Sequence, residues 1–136
     1  MEAQLFTDGA ARGNPGISGC ACILFNLQSH VLDLQGKYLG IGTNNQAEYQ
    51  GILMGLKLAL KNGVTRLVCY LDSELVVNQL SGLYKVKNSN IANLKAQIQV
   101  YSQKFAKISY QHIPREKNYL ADKLVNLLLD ASLQSK

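Results

Sequence analysis

The chain has 136 residues, of which 47% are hydrophobic and 17% are charged, a composition typical of one globular domain. No apolar run reaches the ~20 residues that a membrane span requires, and Asp8, Gly9 and Arg12 interrupt the first apolar stretch, so we expect neither a membrane span nor a secretory signal. The net charge of +5 favours polyanionic partners. We therefore expect a single domain over residues 1–136 and a cytoplasmic location. The sequence has no heptad or exposed apolar helix face that compels an oligomer, so we also expect a monomer with no obligate protein partner.

Strand patterns dominate the first third of the chain. Residues 3–8 form an apolar stretch that predicts a strand ending at Asp8. A loop containing Gly and Pro is predicted over 9–19, and it is followed by strands over 20–27 and 31–39 that a short turn joins. Three strands this close together favour an antiparallel meander.

Helices alternate with strands in the remainder of the chain. The first helix is predicted over 44–62, because Thr43 and Gln46 have the spacing of a capping box. It is followed by a strand over 65–71, helices over 74–81 and 91–103, a strand over 106–112, and a helix over 118–133 with Asn118 as its N-cap. Helical connections join parallel strands, so the order predicts an α/β fold. We expect a mixed five-stranded sheet, with three antiparallel strands followed by parallel crossovers, flanked by helices.

Four carboxylates lie at the boundaries of these elements. Asp8 and Asp72 each follow an apolar strand, while Glu48 lies about one turn inside its helix. Asp122 lies four residues after Asn118. A lone Asp at a strand end is usually a turn or cap residue, but parallel neighbouring strands would bring Asp8 and Asp72 to the sheet edge where α/β proteins bind ligands. Glu48 and Asp122 lie early in their helices and can reach the same edge. Because gathered carboxylates repel each other and hard divalent cations relieve that repulsion, we predict a metal site.

The segments around these carboxylates resemble the motifs of type 1 ribonuclease H, in the family's order and spacing and over almost the whole chain. The resembling segments are Thr7 to Gly16, Thr43 to Glu48, Asp72-Ser73, and His112 to Asp122. The resemblance implies a ribonuclease H-like fold. It also implies a metal-dependent endonuclease that hydrolyses the RNA strand of RNA–DNA hybrids to 5′-phosphate and 3′-hydroxyl products.

The resemblance further implies two Mg²⁺ ions, for which Mn²⁺ could substitute. Asp8 would bridge the two ions, and Asp122 would hold the ion that activates water. Glu48 and Asp72 would hold the ion at the leaving oxygen. Two hard cations about 3.5–4 Å apart can clamp both oxygens of an in-line displacement at phosphorus. His112 resembles the family's mobile histidine, which assists proton transfer or product release, although a loop histidine bonded to backbone is the alternative.

The same resemblance assigns strand recognition to polar side chains near the carboxylates. Amide groups both donate and accept hydrogen bonds, as a ribose 2′-hydroxyl does, and an arginine can meet a phosphate. Each of these side chains also has a local interpretation, because such residues shape turns, cap helices or stay solvated. The predicted substrate contacts are Arg12, Asn14, Thr43, Asn44, Asn45 and Gln46.

Two other classes of function stay open at this point. The first is a catalytically weak nucleic-acid-binding module of the same fold, against which the intact set of four acids argues. The second is a carboxylate hydrolase such as a glycosidase, which needs two acids and no metal. Dependence on a divalent metal separates the hydrolase from the nuclease.

Overall fold

The computed structural model describes residues 1–134, which form a mixed five-stranded sheet flanked by helices. The strands are β1 (Glu2–Gly13), β2 (Gly16–Asn26), β3 (Val31–Gly42), β4 (Arg66–Leu71) and β5 (Lys107–His112). The helices are α1 (Asn44–Lys61), α2 (Glu74–Leu80), α3 (Ser89–Ser102) and α4 (Tyr119–Gln134), and a 3-10 turn (Arg115–Asn118) leads into α4. The strand order is β3-β2-β1-β4-β5, antiparallel among the first three strands and parallel from β1 through β4 to β5. The predicted α/β architecture is confirmed.

The β1–β2 hairpin is longer than the sequence predicts. β1 continues past Asp8 to Gly13, and β2 begins at Gly16, so most of the predicted loop 9–19 is strand. Pairing between the two strands extends without a break to Gly13 opposite Gly16. The Gly and Pro residues indicated a loop, but hydrogen bonds between the strands satisfy the backbone there and override the local signal.

Helix α1 packs on one face of the sheet and forms the main core with it. Ile52 and Leu56 of α1 are fully buried in that core. The helix approaches β1 very closely, since a Cβ atom on Gly9 would lie 2.2 Å from the carbonyl carbon of Ala47. Only glycine fits at such a separation. This contact fixes the position of Glu48, the next residue of the helix, relative to β1.

Helix α4 covers part of the opposite face. Val125 and Leu129 are fully buried against Ala21 of β2. The helix begins directly after the 3-10 turn, and Asp122 lies in its first turn. α1 and α4 therefore bring acidic residues toward β1 from opposite faces. None of the helices in residues 1–134 is both long and apolar enough to cross a lipid bilayer.

Candidate active site

Three of the four predicted carboxylates lie together at one edge of the sheet. Oxygen atoms of Asp8, Glu48 and Asp72 all lie within 4.8 Å of one another. β1 and β4 are parallel neighbours with Phe6 opposite Tyr70, and two residues further along the chain this register leads to Asp8 and Asp72. The close approach of α1 adds Glu48 from the first face of the sheet.

Burial makes this acidic cluster unfavourable without a cation. Asp8 is 5% exposed and Glu48 is 8% exposed. Burial, and then the charge of Asp72, raises the pKa of Asp8 to about 7. Burial, followed by the charge of Asp8, raises the pKa of Glu48 well above its ordinary value. The buried Glu48 Oε2 finds no hydrogen-bond partner among the described residues. A hard divalent cation fits this donor set, because it would supply the missing partner and favour the ionised carboxylates.

Asn118 holds Asp72 in position. Its Nδ2 donates to Asp72 Oδ2 at 3.0 Å and to the main-chain oxygen of Thr7 at 2.8 Å. Asn118 is 1% exposed, so water does not compete for these hydrogen bonds. The prediction that Asn118 caps the last helix is wrong, because its Oδ1 accepts no hydrogen bond from residues 1–134. The side chain instead reaches across to β1 and to the residue that follows β4.

We expect Asn118→Ala to lower the free energy of unfolding by about 1–3 kcal/mol, because a buried carbonyl oxygen and a carboxylate each lose a donor. Denaturant unfolding at one pH measures the change. Asn93→Ala removes an exposed amide from α3 and is the matched control, with an expected change below about 0.5 kcal/mol. Equal losses in the two variants would contradict the positioning role of Asn118.

Asp122, the fourth predicted carboxylate, lies outside the 4.8 Å group and forms an ion pair. Its Oδ1 accepts a hydrogen bond from Nη2 of Arg115 at 3.3 Å. The side chain of Asp122 is 27% exposed and that of Arg115 is 76% exposed. The charge of Asp122 also contributes, behind the larger effects of burial and Asp72, to the raised pKa of Asp8. The structure thus places three acids together and the fourth at their margin beside a cation.

The predicted substrate contacts near α1 connect the β1–β2 turn to the helix. Thr43 Oγ1 accepts from the backbone N–H of Gln46 at 3.2 Å, and Gln46 Oε1 accepts from the N–H of Thr43 at 3.0 Å, which completes the predicted capping box. Asn14 Oδ1 accepts from the N–H of Asn44 at 3.1 Å, and Asn44 Oδ1 accepts from the N–H of Ala11 at 2.8 Å. The local structural roles are present, and a role in binding stays a prediction.

The remaining predicted site residues have different surroundings. Arg12 Nη2 lies 2.7 Å from Asp130 Oδ1 on α4, so this arginine ties the end of β1 to the last helix. Asn45 is half-buried in the first turn of α1. His112 is exposed at the end of β5, opposite Leu71 in the parallel pairing. Their functional roles stay predictions.

The contacts of Asn118 and Arg115 with the acids were missed by sequence reasoning. Asn118 precedes Asp122 by four residues, a spacing that is typical of an N-cap before an acidic first turn. This pattern predicted a cap and gave no indication of the hydrogen bond to Asp72. Arg115 and Asp122 are seven residues apart, which would be two turns of one continuous helix. Arg115 instead begins a 3-10 turn that ends at Asn118, directly before α4, and the sequence did not indicate this turn.

The sheet order and the acidic cluster define a ribonuclease H-like protein with a candidate metal centre. A family model described as reverse transcriptase-like matches residues 6–128. Bifunctional protein Rv2228c of Mycobacterium tuberculosis is 40% identical over 136 residues, which cover 99% of this chain and 37% of that protein. Ribonuclease HI of Halobacterium salinarum is 32% identical over 129 residues, which cover 95% of this chain and 65% of that protein.

Solved structures give the same result. The N-terminal ribonuclease H domain of Rv2228c has a TM-score of 0.95 at 38% identity, covering 98% of this chain and 97% of that one. LC11-RNase H1, isolated from compost by a metagenomic approach and solved with an RNA/DNA hybrid, has a TM-score of 0.91 at 34% identity, covering 96% and 99% of the two chains. The chain therefore belongs to the type 1 ribonuclease H family. It spans 37% of the length of its mycobacterial relative.

Proposed function

We propose that this protein is a metal-dependent endoribonuclease that hydrolyses the RNA strand of RNA–DNA hybrids to 5′-phosphate and 3′-hydroxyl products. The observation that carries the proposal is the cluster of Asp8, Glu48 and Asp72, whose oxygen atoms lie within 4.8 Å of one another. A relative named ribonuclease HI and a neighbour solved with an RNA/DNA hybrid support the reaction and the substrate class.

Two Mg²⁺ ions are the proposed cofactors, with Mn²⁺ as a substitute. When bound, such ions supply an activated water and charge stabilisation at the attacking and leaving oxygens. Asp8 would be shared between the ions, with Glu48 and Asp72 on one and Asp122 on the other. The close approach of α1 to β1 fixes the position of Glu48, and the hydrogen bond from Asn118 fixes that of Asp72. The proposed reaction needs no side-chain nucleophile.

The substrate would approach over a basic surface. The net charge is +5, and the buried acids of the cluster are among the nine acidic residues of the chain. The remaining surface is therefore more basic than the total indicates, which favours a nucleic acid. The amides of Asn14, Asn44, Asn45 and Gln46 are the proposed contacts with the hybrid. A cytoplasmic monomer without an obligate protein partner is the proposed state, based on composition.

A panel of labelled substrates tests the proposal. Hybrid, double-stranded RNA, double-stranded DNA and single strands are each incubated with Mg²⁺ or with EDTA. We expect cleavage of the RNA strand of the hybrid in Mg²⁺ and none in EDTA. Hybrid binding without cleavage would favour the catalytically weak binding module, whereas cleavage that survives EDTA would favour the two-carboxylate hydrolase.

Calcium separates binding from cleavage in the same assay. Ca²⁺ should permit hybrid binding but support little cleavage, because its larger radius and looser coordination position the reacting oxygens poorly. Binding should also weaken with salt, since each neutralised phosphate adds about 0.9 to the magnitude of the logarithmic slope on a B-form duplex, and we expect a similar value for a hybrid. A salt-independent affinity would count against a surface that follows the phosphates.

A further inference from the structure

Arg115 is a cation that lies beside the acidic centre. It belongs to the 3-10 turn before α4, and its Nη2 lies 3.3 Å from Asp122 Oδ1. The hydrogen bond that Arg115 donates to Asp122, and then the charge of Asp122, raises the pKa of Arg115, and the charges of Asp8 and Asp72 act in the same direction. Within residues 1–134, the contact of the guanidinium with these acids is its hydrogen bond to Asp122.

The ion pair between Arg115 and Asp122 can separate easily. The Arg115 side chain is 76% exposed and sits on a short turn, so no packing needs to be broken when it moves. Exposed ion pairs are weak, because water and dissolved ions compete with them. Arg12 offers a contrast, since its Nη2 lies 2.7 Å from Asp130 Oδ1 and its side chain is only 34% exposed.

A metal ion bound by Asp122 would compete with Arg115 for that carboxylate. A divalent cation requires free carboxylate oxygens and is repelled by a nearby positive charge. In this structure the guanidinium occupies Oδ1 of Asp122, the acid that stands apart from the other three. A planar guanidinium also matches a phosphate well. A bound hybrid would place phosphates near Arg115, so the guanidinium would have an alternative anionic partner.

We propose that Arg115 is an exchangeable counter-ion, which pairs with Asp122 in the metal-free centre and transfers to a substrate phosphate when a divalent ion binds Asp122. The inference rests on the proposed metal site and nuclease function. Under this scheme the metal frees Arg115 to bind a phosphate of the hybrid, and a bound phosphate frees Asp122 to bind the metal. The binding of one therefore favours the binding of the other.

Isothermal titration with Mn²⁺ in the absence of nucleic acid tests the competition. Arg115→Ala should bind Mn²⁺ about three- to tenfold more tightly than the wild type, because the competing cation is gone. Arg115→Lys keeps the charge and should stay within about twofold of the wild type. Lys117→Ala is the matched control: it removes one charge from the same turn, and Lys117 forms no ion pair in the described part of the chain. It should also stay within about twofold.

A double-mutant cycle assigns the effect to Asp122. In an Asp122→Asn background, the gain from Arg115→Ala should shrink below about twofold, because the contested carboxylate is absent. An equal gain in both backgrounds would assign the effect to general charge and overturn the exchange. Unchanged or weaker Mn²⁺ binding by Arg115→Ala alone would also overturn it. A wild-type protein that binds no Mn²⁺ would contradict the metal site itself, so the two failures are distinguishable.

Hybrid binding in Ca²⁺ tests the transfer to phosphate. Arg115→Ala should bind hybrid about three- to tenfold more weakly and reduce the salt slope by about 0.9, the value of one phosphate contact. Unchanged hybrid affinity with an unchanged slope would show that Arg115 does not reach a phosphate and would overturn this half of the scheme.

Discussion

The Asp8→Asn protein is expected to lose hybrid cleavage by more than about 10³-fold while it stays folded and still binds hybrid. Asp8 belongs to the acidic cluster, and one of its oxygen atoms lies within 4.8 Å of oxygen atoms of both Glu48 and Asp72. Asparagine keeps the shape of the side chain but removes one charge and one anionic ligand, so the metal ions would be held weakly and in the wrong place. Cleavage in saturating Mg²⁺ and hybrid binding in Ca²⁺ measure the two properties.

A second substitution controls for the loss of a carboxylate. Asp33→Asn makes the same chemical change on β3, where Asp33 accepts a hydrogen bond from Asn62 outside the cluster. This control should keep wild-type turnover. Near-normal turnover in Asp8→Asn would remove Asp8 from its proposed role.

The same Asp8 substitution should change how the stability of the metal-free protein depends on pH. The pKa of Asp8 is raised from 3.8 to about 7, so between these values the folded state binds more protons than the unfolded state. The free energy of unfolding therefore falls as pH rises through this window, and the raised pKa of Glu48 acts in the same direction. Asp8→Asn removes one of the two groups responsible, so its free energy of unfolding should fall less as pH rises.

Thermal unfolding in EDTA at pH 5 and pH 8 measures this effect. At pH 8 the midpoint of Asp8→Asn should exceed that of the wild type by roughly 3–10 °C. The gap should be smaller at pH 5, where the wild-type carboxyl is largely protonated. Added Mn²⁺ should reduce the gap at pH 8 by stabilising the wild type. A gap that is the same at both pH values would show that the burial of Asp8 does not limit stability.

The fold could be predicted because its main signals are local. Apolar strands, helix caps and the alternation of elements determine the order of strands and helices, and the right-handed crossover rule then gives a mixed sheet. The extent of the β1–β2 hairpin could not be predicted in this way. Its pairing to Gly13 opposite Gly16 depends on hydrogen bonds between strands, whereas the Gly and Pro residues of the segment indicate a loop.

The sequence predicted which acidic residues belong to the candidate site, but it did not predict how they are arranged. Parallel neighbouring strands bring Asp8 and Asp72 to one edge, which the element order already implied. The separation of Asp122 from the other acids depends on how α4 is rotated. That rotation follows from the 3-10 turn and from the packing of Val125 and Leu129, neither of which the sequence specifies in detail.

His112→Ala is expected to lower turnover by roughly ten- to a hundredfold, which is far less than the effect of Asp8→Asn. His112 is exposed at the end of β5, opposite Leu71, the residue that precedes Asp72. The imidazole therefore lies at the same edge of the sheet as the acidic cluster. The proposed metal ions can activate water and stabilise the leaving oxygen without it, so the histidine should assist the reaction and not be essential.

Steady-state kinetics on one hybrid distinguish the possible roles of His112. Help with proton transfer or product release would lower kcat with little change in KM, whereas loss of a substrate contact would mainly raise KM. His30→Ala, in the exposed turn between β2 and β3, is the matched control and should leave both constants unchanged. Wild-type turnover in His112→Ala at several pH values would reduce His112 to a structural residue, and the four carboxylates would then account for the chemistry by themselves.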